Sequence, residues 1–217
     1  ENFILGSPDI QSINSLEFGP QGVLFLGDSK GAAVFALDTQ DEYDKVLTED
    51  INIEGIDSKI ASVLGTTVDK ITIQDLAVNP STKKVYVAVQ GADGNFALMS
   101  LRGEKFDIVQ LGEVSYSKVK INNAIGAETK DRRGRSQRVY AISDMEYSEG
   151  KLMITGLSNQ EFGSTFRSIP FPFSDLQDQA SLEIYHAAHG RYETQSPIKT
   201  FTTTDLNGEK YIIASYT

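Results

Sequence analysis

The chain contains no cysteine and no tryptophan, and only two histidines among its 217 residues. Without cysteine there is no disulfide and no thiolate chemistry within the chain, and the redox compartment leaves no mark on the sequence. No apolar run approaches the roughly eighteen residues of a membrane-spanning helix, so no membrane span is expected. No initiating Met and no signal-peptide pattern open the sequence, which therefore reads as a mature, processed or excised polypeptide. Basic side chains are in deficit. Twenty Lys and Arg face thirty Asp and Glu, a net charge of −10, which argues against nucleic acid as a partner. There is no Gly-x-x-x-x-Gly-Lys loop and no EF-hand pattern, so no nucleotide cofactor is expected. Gly163-Ser164-Thr165 is not a Gly-x-Ser-x-Gly nucleophile elbow.

The hydrophobic residues, 40% of the chain, suffice for a sizeable core, so residues 1–217 read as one domain or part of a larger one. Charge is unevenly spread. Residues 1–60 hold twelve acids and three bases, a balance of −9, whereas the remainder is nearly neutral. Against that background Glu128 to Arg138 carries Lys130, Arg132, Arg133, Arg135 and Arg138 with only two acids, Glu128 and Asp131. Such a stretch is a solvated loop, or a basic loop that docks on an acidic neighbour.

A repeat underlies the irregular spacing. Four stretches share a short strand, a turn and a second strand: Ser12–Phe18 with Val23–Leu26, Ile73–Val78 with Val85–Val89, Ile142–Tyr147 with Leu152–Thr155, and Ile198–Thr203 with Tyr211–Ala214. The turns fall at Gly19–Gly22, Asn79–Thr82, Glu149-Gly150 and Asp205–Gly208, where Gly, Pro, Asn and Asp suit tight hairpins. Leu16, Leu76, Met145 and Phe201 align at steps of 60, 69 and 56 residues. Third strands are expected at Ala33–Leu37, Phe96–Leu101 and Thr165–Ile169. A supersecondary repeat of this length favours radial blades over a sandwich. The expectation is an all-β β-propeller, with blades near 12–57, 71–125, 139–185 and 196–217. A short helical insertion is expected near 58–65, capped by Asp57, with Ile60, Val63 and Leu64 on one face.

Three blades reach a third strand and the fourth stops at its second, so the count of blades does not close. Either Asn2–Leu5 supplies an outer strand to a small four-bladed ring, or the ring is larger. The second is preferred, because an open ring exposes a hydrophobic edge. The expected partner is the remainder of the propeller, or a second chain that completes it.

Gly156-Leu157-Ser158-Asn159-Gln160-Glu161-Phe162 and His186-Ala187-Ala188-His189-Gly190-Arg191-Tyr192-Glu193-Thr194-Gln195-Ser196-Pro197 resemble blocks in a group of uncharacterised bacterial β-propeller proteins. The resemblance runs from about Ile53 to Thr217. It implies a periplasmic or secreted location and a longer polypeptide, continuing past Thr217 into a Cys-Thr-Pro segment and further blades. It implies no activity.

Three function classes remain open. His186 and His189, followed by Arg191 and Glu193, precede the fourth inner strand, where loops open onto a propeller's axial face. Two imidazoles at this spacing suit a transition metal, Cu, Fe or Zn, with Glu193 as third ligand or supporting group and a redox role for the site. The same pair also suits hydrogen bonds to loop carbonyls. The second class is a non-catalytic protein-binding scaffold using the acidic first blade and the basic loop. The third is a carboxylate-based glycan hydrolase with Asp75, Asp144 and Glu193 around a pocket. Asp75 and Asp144 occupy equivalent repeat positions, with Ser15 and Thr200 at the matching sites, and recurrence also suits a repeated structural duty. Arg191 is a further candidate for catalysis or for holding an anionic substrate. Arg167 either pairs with Glu161 or faces a bound anion.

Overall fold

The computed structural model describes residues 2–41, 46, 51–160, 163–181, 184–186, 190–193 and 196–216, and for residues 184–186, 191 and 193 it describes the backbone. Residues 2–28 and 35–117 form one compact unit, and residues 29–34 and 118–217 the other. Seventeen strands and one α-helix are described: β1 (Ile4–Gly6), β2 (Ser15–Phe18), β3 (Val23–Asp28), β4 (Ala33–Asp38), α1 (Ile56–Val63), β5 (Ile71–Val78), β6 (Val85–Gly91), β7 (Phe96–Arg102), β8 (Lys105–Ile108), β9 (Val114–Lys120), β10 (Asp144–Ser148), β11 (Lys151–Leu157), β12 (Ser164–Pro170), β13 (Asp178–Ser181), β14 (Ile184–His186), β15 (Arg191–Glu193), β16 (Ile198–Leu206) and β17 (Glu209–Tyr216). The fold is all-β.

In the first unit β5, β6, β7 and β8 make a four-stranded antiparallel meander in chain order. The β-branched and aromatic runs drive it, and the central β6 is buried on both faces from Val85 to Val89. Ile60 of α1 is fully buried against Val87, Val89, Met99 and Leu101, with Ile56 and Leu64 beside it. The helix therefore covers one face of this sheet through Ile56, Ile60 and Leu64, whereas Val63, expected on that face, is 42% exposed. Its N-cap is Gly55, in the left-handed region at φ 61°, and not Asp57. Asp57 instead sits in the first turn and accepts the N–H of Ser58 at 2.8 Å. There its negative charge still complements the helix N-terminus.

β2, β3 and β4 form a second meander whose outer side is extended by β9 and then β1, giving the order β1-β9-β4-β3-β2. The segment Asn2–Leu5 thus contributes an outer strand, with Ile4 opposite Tyr116 and Gly6 opposite Val114. β9 returns to this sheet across the whole of the intervening four-stranded meander. Leu24, Phe25, Leu26 and Phe35 are buried in its core.

In the other unit β10, β11, β12 and β13 repeat the four-stranded meander. β14 pairs with β15, and β16 with β17, as separate hairpins. The expected turns have the geometry their residues favour. Glu149 and Gly150 have φ 51° and 77°, and Asn207 and Gly208 have φ 57° and 81°. Two successive positive φ values match the right-handed twist of the flanking strands.

Candidate functional site

Asp75 and Asp144 are both committed to strand-to-strand contacts. A β-bulge in β5 at Gln74 shifts the register ahead of Asp75, re-aiming its side chain. Asp75 Oδ2 accepts the backbone N–H of Leu16 at 2.7 Å and the Ser15 hydroxyl at 3.2 Å. Asp144 Oδ2 accepts the N–H of Phe201 at 3.0 Å, and Asp144 Oδ1 the N–H of Met145 at 2.9 Å. Two residues along β10, Glu146 accepts the N–H of Thr203 at 2.9 Å and also its hydroxyl. Leu16 and Phe201 are aligned positions of the repeat, so the two aspartates perform one recurring task. Each satisfies an amide of the neighbouring hairpin.

The histidine segment falls on the β14–β15 hairpin, which pairs His186 with Arg191 and Ile184 with Glu193. His189, like Glu161, lies outside the described residues. Among the described residues no three His, Asp or Glu side chains gather as a metal ion would require.

The basic loop is folded around Asp131. Its Oδ1 accepts the N–H groups of Arg133 at 2.8 Å and Arg135 at 2.9 Å, and its Oδ2 accepts Arg135 Nε at 2.7 Å. Gly134 closes the turn at φ 76°, and Gln137 N–H donates to Thr129 O at 2.8 Å. These bonds, the backbone N–H of Arg135 foremost, hold the Asp131 carboxyl below its ordinary value. Arg138 anchors the base of the loop by donating to the carbonyls of Lys30 and Ile125.

This loop forms one wall of an open cleft of about 800 Å³. The facing wall is the turn after β11, where Ser158 N–H donates to Gly163 O at 2.7 Å and Asn159 N–H to Asn123 O at 3.0 Å. Lys130, Arg132, Arg133 and Arg135 line one side, and Ser158, Asn159, Gln160 and Ser196 the other. Arg135 is held by Asp131, while Arg132 and Arg133 are exposed and have no ion pair among the described residues. The cleft therefore presents uncompensated cations opposite neutral amide and hydroxyl groups. Sequence reasoning found the cations through their density. It missed the facing polar wall, because Asn159 and Gln160 carry no charge signal.

No family model matches the chain, and no curated protein matches it. Among solved structures it is similar to one titled "Streptogramin B lyase structure". That match is 11% identical and covers 97% of this chain and 72% of the other, at a TM-score of 0.27.

Arg167, the remaining candidate, is not in the cleft. It lies on β12, 1% exposed, opposite Ile154 of β11 and Gln179 of β13.

Proposed function

We propose that this protein is a propeller-type binding scaffold whose basic cleft receives an acidic peptide segment of a partner protein. The carrying observation is the set of exposed guanidinium groups of Arg132 and Arg133, opposite Asn159 and Gln160 across an opening of about 800 Å³. Guanidinium forks match carboxylates two N–H groups at a time, and the facing amides can bond a peptide backbone. Net charge decides the length of the ligand. A long polyanion would meet the rest of a chain carrying −10, whereas a short acidic segment stays beside the cations of the 130–138 loop. Titration of a labelled Glu- and Asp-rich peptide, followed by fluorescence anisotropy, tests the reading. Binding that weakens as salt rises supports it, and a preference for inorganic phosphate over the peptide counts against it.

The β16–β17 hairpin supports a second element of this reading. Every described side chain from Glu209 to Ser215 is exposed, including Ile212 at 47% and Ile213 at 57%, and the outer edge of β17 has no strand partner among the described residues. The strands of the complete meanders follow one another in the chain. By the same rule two further strands are expected to pair at this edge, which removes its exposure. Hydrodynamic measurement tests it. A polypeptide extended by two strands remains monomeric, whereas a dimer of residues 1–217 that persists in the extended form assigns the edge to a second copy.

A further inference from the structure

The cost of burying a charge is usually met by a partner within hydrogen-bond reach, and a guanidinium has five N–H groups to satisfy. Arg167 meets none of that requirement. It is 1% exposed, and its Nε, Nη1 and Nη2 all lack a hydrogen-bond partner among the described residues. Burial draws its pKa down only to about 10, so the side chain keeps its charge at neutral pH.

A second orphan lies beside it. Gln179 is directly opposite Arg167 in the β12–β13 register, and its Nε2 is enclosed without an acceptor. Directly paired residues of an antiparallel sheet share a face. The two side chains therefore converge from adjacent strands, both as donors, one carrying a positive charge. Thr165 and Ile169 share that face and are buried. Of these, Thr165 donates its hydroxyl to Gly156 O at 3.2 Å. The hydroxyls of Thr155 and Ser164 alternate onto the opposite face with Phe166 and cannot help. On this face the unpartnered polar atoms are all donors, the three nitrogens of Arg167 and Nε2 of Gln179, which favours an anion over a metal or a cationic ligand.

We propose that Arg167 and Gln179 hold a small enclosed monoanion, of the size of chloride or formate, under the outer strand of this sheet. Access is through β13. That strand is four residues long, sits at the sheet edge and is mostly exposed, so it opens at lower cost than the strands inside it. Such an anion would be a built-in part of the fold, with no counterpart in the open basic cleft.

The test compares thermal unfolding of the protein in chloride, in formate and in a bulky sulfonate buffer anion at equal ionic strength. A bound anion raises the midpoint by about 5–10 °C once it reaches a hundred times its dissociation constant. R167M and Q179L are expected to lose that dependence. Chloride NMR line width supplies a direct reading on the unmodified protein, with excess broadening that formate displaces. It stands even where R167M fails to fold. The proposal is overturned if the unmodified protein unfolds at one temperature in all three anions and chloride shows no excess broadening. It is equally overturned if E161Q destabilises as much as R167M with no anion dependence in the parent, which makes Glu161 the counter-charge.

Discussion

The carboxylate of Asp144 accepts the backbone N–H of Phe201 at 3.0 Å, and this bond ties β10 to the hairpin that follows it. Phe166 stacks edge-on against the Phe201 ring at 5.5 Å between centroids, so a polar bond and an aromatic contact fix the same residue. Removal of a charged acceptor leaves the amide unsatisfied and costs about 1.5–3 kcal/mol. Asp144→Ala is expected to lose that much in urea unfolding with an unchanged m-value. Asp144→Asn, which retains an acceptor oxygen, is expected to lose less than half. Asp75→Ala should behave alike, since Asp75 makes the equivalent bond to Leu16.

The loop of the basic cleft depends on the charge of Asp131. Its folded pKa lies below the ordinary 3.8 because the amides of Arg133 and Arg135 and the Arg135 guanidinium favour the ionised form. A depressed carboxyl pKa contributes order to the fold above its unfolded value, and that contribution is lost as pH falls through the folded value. NMR titration is expected to place the Asp131 midpoint below 3.8 and to show the amides of residues 131–135 shifting with it. Arg135→Ala should raise the midpoint toward the ordinary value, because both guanidinium contacts to Asp131 Oδ2 disappear.

Gly156 permits the close approach on which the floor of the cleft rests. A Cβ at that position would lie 2.2 Å from the Ala141 carbonyl oxygen and 3.0 Å from that of Tyr140. Both contacts are with backbone, so no side chain can swing aside. Gly156→Ala is expected to destabilise by about 1–3 kcal/mol, as overpacking does. It is also expected to shift the amide resonances of Leu157 and Ser158, which line the cleft.

Those particular residues show what the sequence made legible. Turns at Glu149-Gly150 and Asn207-Gly208 are local matters of backbone preference, and runs of β-branched and aromatic residues mark β6, β11 and β17. The return of β9 to the first sheet could not be read, because it pairs with β4 and β1 across more than seventy residues and no local signal records the partner of a strand. The burial of Arg167 left no local signal for a different reason. Its residue type implies solvent or an ion pair, and only the packed sheet shows a buried cation with neither among the described residues. Asp75 and Asp144 were legible as a recurring pair, but whether they served chemistry or packing depended on seeing which amides they reach.

The central claim is that the cations of the cleft, and in particular Arg132 and Arg133, recognise carboxylates. The most direct measurement is the affinity of a Glu- and Asp-rich peptide for the unmodified protein and for R132E/R133E, at low and at physiological salt. Neither residue is bonded to the loop framework by its side chain, so the double variant should keep the unfolding temperature of the parent. Loss of two exposed pairs and the added repulsion predict at least about a tenfold weaker complex, with a shallower salt dependence. Equal affinity of the two proteins for the peptide, at both salt concentrations, would contradict the account.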